Sequence, residues 1–180
     1  MLRAINVSRK MTDYHELKQL YLRAFPKAER IPLPFLRYRA KKADINFYAY
    51  YDDDSFVGLT YLISYKGITY ILFLAVNDRI RSKGYGSQIL KSISENYPHD
   101  TLILIMEEVV KSAPNYQQRL KRQSFYFKNG FRDSGHTSIE YGVKYQMLVK
   151  GENITAQQYR DLFKYFVGSV VYRFFNPEVS

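Results

Sequence analysis

Residues 68–97 read ITYILFLAVNDRIRSKGYGSQILKSISENY, and this stretch decides the fold. Ile68 to Val76 is almost wholly apolar, which suits a central strand covered on both faces. From Gly84 the period changes. Tyr85, Ile89, Leu90, Ile93 and Tyr97 fall on one helical face, and Pro98 ends the run. Between strand and helix lies a short basic loop. Gly84 and Gly86 lack Cβ atoms, so the backbone can bend there and a ligand can approach closely. The first N–H groups of a helix have no partner inside it, and with the helix dipole they form an anion site. Arg81 and Lys83 add charge beside that site, and a pyrophosphate suits the environment.

Three phosphate-loop patterns compete for these residues, alongside a plain tight turn. A Walker loop ends in Gly-Lys-Ser/Thr, an order this loop lacks. A dinucleotide fingerprint needs a glycine where Ile89 stands. The pattern Arg/Gln-x-x-Gly-x-Gly/Ala is met at all three places, by Arg81, Gly84 and Gly86.

Working outward, Leu2 to Val7 reads as a first strand. Thr12 reads as a helix cap, followed by Tyr14, Leu17, Tyr21, Ala24 and Phe25 on one face until Pro26 stops the helix. Pro26 to Pro34 reads as a structured loop, and a shorter helix runs from about Pro34 to Ala43. Asn46 to Tyr51 and Phe56 to Tyr65 read as two strands joined by the acidic turn Asp52 to Ser55. Lys66 and Gly67 turn the chain into the apolar run. Beyond Pro98, Thr101 to Met106 is a second buried strand closed by Glu107 and Glu108. Pro114 opens a helix that Gly130 closes, with Tyr116, Leu120 and Phe127 as its apolar stripe. Phe131 to Tyr141 and Val143 to Lys150 form a hairpin around Gly142. Thr155 and Gln158 make a capping box ahead of Tyr159, Leu162, Phe163, Phe166 and Val167. This order predicts a mixed α/β chain, with a meander feeding a strand–loop–helix unit.

Composition excludes several chemistries. The 180 residues carry no internal repeat and are 46% hydrophobic, as one domain with a real core requires. Cysteine is absent, so disulfides, cysteine zinc sites and thiol catalysis are ruled out. His15, His99 and His136 are scattered without metal-ligand spacing, and no ligand series follows the three aspartates, so no metal is expected. Eighteen Tyr and twelve Phe name no ligand by themselves, since such rings mostly fill cores. No apolar run reaches membrane-spanning length and the first ten residues hold no sustained apolar stretch, so a cytoplasmic location and no membrane are the expectation. The net charge of +10 attracts anions, but it is spread along the chain without a basic tail, so nucleic acid is not the first expectation.

With its loop pattern, the sequence resembles the GCN5-related N-acetyltransferase (GNAT) family. A second match lies downstream, where Phe125, Tyr126, Phe127, Lys128, Asn129, Gly130 and Phe131 fit the family's Phe-Tyr-x-x-x-Gly-Phe. The element order fits the family fold across about residues 1–150, with 151–180 as a C-terminal helical extension packed on the same domain or at a homodimer interface. The implied architecture is a mixed, mostly antiparallel central sheet with helices on both faces. The implied activity is acetyl transfer from acetyl-CoA to an amine.

The resemblance also implies roles. The strand end before the loop, including Leu74 and Val76, would pair through its backbone with the pantetheine arm, and the amides of Ser82, Lys83, Gly84, Tyr85, Gly86 and Ser87 would hold the pyrophosphate. Tyr126 matches the tyrosine that protonates the leaving thiolate. Arg119, Arg122 and Tyr126 share a helical stripe, so at least one arginine is expected to contact the cofactor or close the acetyl site, the alternative being a solvated basic face. Many family members carry Asn where Arg119 stands, so this chain departs from the pattern there. Glu107 and Glu108 are candidate bases for the incoming amine, on opposite faces of their strand, and Glu29 is a third, in the loop that borders the family's acceptor site. Each could equally be a surface acid, with a water chain taking the proton. Two other functions stand beside the enzyme: a CoA-binding protein without turnover, and a basic RNA- or partner-binding module on the same fold.

Overall fold

The computed structural model describes residues 2–80, 84–140, 142–173 and 178–179. In chain order it forms β1 (Arg3–Asn6), α1 (Tyr14–Ala24), α2 (Leu33–Arg39), β2 (Ile45–Asp52), β3 (Ser55–Tyr65), β4 (Ile68–Val76) and a 3-10 turn over Asp78–Ile80. Then follow α3 (Tyr85–Asn96), β5 (Thr101–Glu107), α4 (Tyr116–Lys128), β6 (Arg132–Glu140), β7 (Val143–Lys150), α5 (Ala156–Val167), α6 (Ser169–Tyr172) and β8 (Glu178–Val179). The strand arrangement is the mixed, mostly antiparallel α/β sheet expected from the sequence, with β4–β5 as the parallel pair. The chain divides into two units, Met1–Ile63 with Ile71–Pro98, and Ser64–Tyr70 with His99–Ser180.

In the first unit the strands run β1-β2-β3-β4. The rings of Tyr21 and Phe25 from α1, Tyr61 from β3 and Phe73 from β4 pack together, with Phe73 centroids 5.2 Å from Tyr21 and 4.7 Å from Phe25. Buried phenols carry a polar end that must be satisfied. Tyr21 Oη does so on the loop after α1, donating to Ile31 O at 2.9 Å and accepting from Ile31 N–H at 2.8 Å. Tyr61 Oη donates to Leu36 O at 2.9 Å, which pins α2. The pyrrolidine of Pro34 sits in the first turn of α2, where no N–H is needed, so that helix begins one residue earlier than expected and ends at Arg39.

Three local expectations change here. Thr12 does not cap α1. Asp13 takes the N-cap position without a side-chain cap, because its carboxylate accepts from Tyr51 Oη at 3.0 Å instead. Leu20 is buried on α1 and Ala24 is exposed, because the helix ends at Ala24. The apolar run of β4 is fully buried only over its first residues. From Leu72 it alternates, with Phe73 and Ala75 buried and Leu72, Leu74 and Val76 half-buried.

Gly58 on β3 marks a close approach that the sequence reading missed. A Cβ there would lie 2.5 Å from Ala75 O and 3.2 Å from Ile89 Cδ1, so α3 packs where only a glycine fits.

In the second unit the order is β4-β5-β7-β6-β8. Ile68–Tyr70 pair in parallel with Thr101–Ile103, and β7 covers the other side of β5 from Leu102 to Glu107. The capping box of α5 is present, with Thr155 Oγ1 accepting from Gln158 N–H at 3.2 Å and Thr155 N–H donating to Gln158 Oε1 at 2.7 Å. Tyr159, Leu162 and Phe166 are its buried face. The stretch after Gly168 gives a last helical turn and the short strand β8, which pairs with β6. The stripe expected on α4 is not a core face. That helix fully buries none of its described side chains, and Phe127 is exposed.

Candidate active site

In the first unit, β4 is the edge strand from Ile71 to Val76, so one row of its N–H and C=O groups faces away from β3. Leu74 and Val76 lie on that stretch with half-buried side chains. Asn77 follows and is buried. Its Nδ2 donates to Glu16 Oε1 at 2.9 Å and to Phe56 O at 3.0 Å, and its Oδ1 accepts from Arg79 N–H at 3.2 Å. The chain then makes the 3-10 turn, which Arg23 holds through Asp78 Oδ1 at 2.8 Å. Arg81, Ser82 and Lys83, expected to line the phosphate site, lie outside the described residues.

Gly84 is the N-cap of α3, with φ of 69°, a left-handed conformation that a glycine enters without strain. The first helical hydrogen bond runs from Gln88 N–H to Gly84 O, at 3.1 Å. The N–H groups of Tyr85, Gly86 and Ser87 therefore precede the ladder, and no acidic residue stands in the first turn to compete for them. Tyr85 turns its ring into the unit, and its Oη donates to Asp52 Oδ2 at 2.7 Å. That hydrogen bond, reinforced by burial and by the charges of Asp52 and Asp53, holds the phenol above its ordinary value. The acidic turn thus secures the start of α3, and among the described residues no cluster of three or more His, Asp and Glu could hold a metal ion.

In the second unit, the end of β5 meets α4 through charge. Arg119 is committed on every side of its guanidinium: Nε donates to Asn115 Oδ1 at 2.7 Å, Nη1 to Glu108 O at 2.8 Å and Nη2 to Glu107 Oε1 at 2.9 Å. Glu107 Oε2 takes a further donation from Asn115 Nδ2 at 3.3 Å and lies 3.6 Å from Arg122 Nη1. Glu108 pairs with Lys144 Nζ at 2.9 Å. The Arg119–Arg122–Tyr126 stripe therefore exists, but Glu107 is its focus. Arg122 is the more exposed arginine, with 47% of its side chain accessible against 13% for Arg119.

Tyr126 stands one turn beyond Arg122, its ring centroid 5.2 Å from Phe125 and 5.8 Å from Phe131. Burial pushes its phenol up, opposed by the charge of Arg122. The Tyr126 hydroxyl makes no hydrogen bond among the described residues. Glu29 is half-buried in the loop after α1, where its N–H donates to Pro26 O at 3.0 Å.

A cavity of about 490 Å³ also lies in the first unit, walled by Arg9, Arg37, Lys41 and Lys42 over Ile45 and Phe47. It opens at the Ile45 end of β2. The loop leaves β4 by the opposite end of that strand, where Asn77 N–H donates to Val57 O at 2.9 Å. The length of β2, roughly 24 Å, separates the two.

Residues 43–133, half of the chain, match the family model described as the acetyltransferase (GNAT) domain. No curated protein matches the chain in sequence. Among solved structures, a GNAT-family protein from Bacteroides thetaiotaomicron is similar at 20% identity with a TM-score of 0.71, covering 96% of this chain and 98% of that one. A GNAT family acetyltransferase from Elizabethkingia anophelis with acetyl-CoA bound gives 14% identity and a TM-score of 0.57 over 84% and 98%. The aminoglycoside 6'-N-acetyltransferase from Enterococcus faecium gives 14% and 0.60 over 82% and 96%.

Proposed function

The chain belongs to the GNAT family of acetyltransferases, and on that footing we propose that it transfers the acetyl group of acetyl-CoA to a primary amine by direct attack. The observation that carries the donor is the start of α3: a left-handed Gly84 delivers three N–H groups that precede the helical ladder, with no acid in the first turn. The pyrophosphate binds there, with Arg81, Ser82 and Lys83 completing the loop and Gly86 letting the phosphates approach. The pantetheine arm pairs with the β4 edge near Leu74 and Val76, a strand-addition contact that needs backbone groups and no particular side chain.

In the reaction the amine nitrogen attacks the thioester carbonyl carbon, the C–S bond breaks, and the electron pair leaves on sulfur. Tyr126 gives its proton to that thiolate. Its desolvated, raised phenol stays protonated across the neutral range, and its hydroxyl is uncommitted among the described residues. Arg122, the more exposed arginine of the stripe, meets the cofactor, while Arg119 holds α4 against the end of β5. Both carboxylate oxygens of Glu107 are engaged, by Arg119, Asn115 and Arg122, so we assign it to that same anchoring. Glu108, Glu29 or a water chain takes the proton of the amine. Most of the acceleration comes from holding amine and thioester together and from N–H groups that stabilise the oxyanion.

The test is thiol release from acetyl-CoA across a panel of aminoglycosides, polyamines, amino acids and peptides, with the acetylated product identified by mass. CoA binding without turnover on any amine would refute the transferase and leave a binding protein on the same fold.

A further inference from the structure

The cavity at the Ile45 end of β2 forms where two neighbouring segments part from that strand. β1 accompanies β2 only as far as Val7, whose N–H donates to Phe47 O at 2.8 Å. The chain then turns away toward α1, with Met11 N–H donating to Ser8 O at 3.3 Å. On the other side α2 ends at Arg39, and tight turns bring the chain round to β2. Lys41 N–H donates to Tyr38 O at 3.2 Å, and Lys42 N–H to Arg39 O and Ile45 N–H to Lys42 O, both at 3.1 Å. Among the described residues, Ile45 and Asn46 therefore have a strand partner in β3 alone. The gap beside them is the cavity, and its volume of about 490 Å³ suits a small molecule.

Four cations line it: Arg9 from beyond β1, Arg37 from α2, and Lys41 and Lys42 from the turns. No carboxylate is among the described lining residues. Like charges around a concavity repel one another and focus a positive potential into it. Arg9, Arg37 and Lys41 form no ion pair among the described residues, whereas Arg23 and Arg79 in the same unit each meet a carboxylate. Arg37 is the most constrained of the set. Its guanidinium lies over the Tyr14 ring, 5.4 Å from the centroid, and its Nε is buried with no hydrogen-bond partner among the described residues. A desolvated N–H of a charged group is costly to leave unmade. The dipole of α2 favours Arg37 in its last turn, but Arg9 belongs to another segment and gains nothing from it.

We propose that this cavity binds a small phosphorylated anion carrying two or more negative charges. Such an anion supplies the acceptors that these cations lack. A phosphate offers oxygens in several directions, as donors on three segments require, whereas a carboxylate offers them in one plane. Val7 and Ala40, half-buried in the wall, leave apolar surface for the rest of the ligand. A nucleic acid strand would need a charged groove that tracks its backbone, and this opening is a bowl. The site lies apart from the start of α3, which Tyr85 ties to Asp52 at the opposite end of β2, roughly 24 Å away. Its occupancy is independent of the acetyl-CoA reading.

Calorimetry with inorganic pyrophosphate, run at saturating coenzyme A so that any site at α3 is filled, reads this cavity. Arg37→Met and Lys41→Gln are each expected to weaken pyrophosphate about tenfold and to leave coenzyme A within about twofold. Lys128→Gln makes the same charge change on the exposed face of α4 and is expected to leave both ligands within about twofold. Should Arg37→Met fail to fold, Lys41→Gln and Arg9→Gln, both at exposed positions, decide the matter. Absence of pyrophosphate binding beside coenzyme A overturns the proposal, and so does an equal loss in Lys128→Gln, which would mean a general positive field. Citrate bound as tightly as pyrophosphate would make it a carboxylate site, and a short RNA strand bound more tightly through the same residues would make it a nucleic-acid site; either result overturns it too. If the protein does not bind coenzyme A, the acetyl-CoA reading falls, and the same variants titrated with pyrophosphate alone still decide this one.

Discussion

Replacing Arg119 by methionine keeps an unbranched apolar stem and removes the guanidinium with its charge and all five N–H donors. Three hydrogen bonds go with them, one to the Glu107 carboxylate, and both side chains of that pair are largely shielded, at 13% and 17% exposure. At 2.9 Å and an effective dielectric constant of about 20, the Coulomb attraction alone is about 6 kcal/mol, most of which is cancelled by the cost of desolvating both ions. Breaking one side of a buried pair typically costs 3–5 kcal/mol, and Arg122 still offers Glu107 partial compensation at 3.6 Å, so about 2–4 kcal/mol is expected here. Urea unfolding of Arg119→Met, Glu107→Gln and the double variant measures it, with a coupling energy of about 1.5–3 kcal/mol expected between the two positions. Unchanged stability in Arg119→Met, or a coupling below about 0.5 kcal/mol, refutes the assignment of Arg119 to anchoring. A loss of coenzyme A affinity at full stability would return Arg119 to the cofactor, as the stripe on α4 first suggested.

Gly58→Ala places a methyl group 2.5 Å from Ala75 O, a backbone atom that cannot swing aside; we expect a loss of about 2–3 kcal/mol in urea unfolding, and an unchanged midpoint would mean that β3 and β4 separate freely. Tyr126→Phe should lower kcat by about ten- to a hundredfold with little change in stability or in coenzyme A affinity; full activity in the variant would remove Tyr126 as the acid. The folded protein should also be labile to alkali. Burial raises Tyr21 and Tyr50 to about 12, and burial with the Asp13 hydrogen bond does the same for Tyr51. A group whose pKa is raised on folding stabilises fully below its unfolded value near 10 and loses that contribution as pH rises through the folded value, so the urea midpoint should fall between about pH 10 and 12, with Tyr50 alone contributing about 3 kcal/mol. A midpoint constant across that window would contradict it.

The elements that sequence pattern revealed are those whose stability is local. The apolar run of β4, the α3 face of Tyr85, Ile89, Leu90 and Ile93, and the capping box of Thr155 and Gln158 are each written in neighbouring residues, and each is present. Asp13, not Thr12, takes the N-cap of α1, and its carboxylate is drawn to a long-range partner, Tyr51, which no window around residue 13 contains. The stripe on α4 misled for a related reason. Tyr116, Leu120 and Phe127 share a helical face, but α4 is held by Arg119 and Glu107, and a helix anchored by charge can leave its apolar residues at the surface. At the candidate site, the turn into α3 was legible because glycine spacing is a backbone requirement, and Gly84 takes the left-handed N-cap. Its supports were less so: Asn77 could have been flagged as a polar residue ending an apolar strand, and Gly58 as a glycine inside one, but their partners lie on other elements.

The tyrosines, which by number alone named no ligand, carry a consistent structural role in the first unit. Tyr21 reaches the loop after α1, Tyr61 the backbone of α2, Tyr51 the start of α1, and Tyr85 ties the start of α3 to the last residue of β2. In each case a ring packs in the interior while the hydroxyl fastens a loop or a helix end. Phenylalanine would fill the same volume and leave those segments to find their own positions. A tyrosine at these places therefore transfers the rigidity of the core to irregular backbone such as the loop after α1. Tyr85→Phe separates the two contributions. It retains the buried ring and removes the bond to Asp52, so the midpoint of urea unfolding should fall with the packing of α3 intact, and an unchanged midpoint would mean that the hydroxyl fastens nothing.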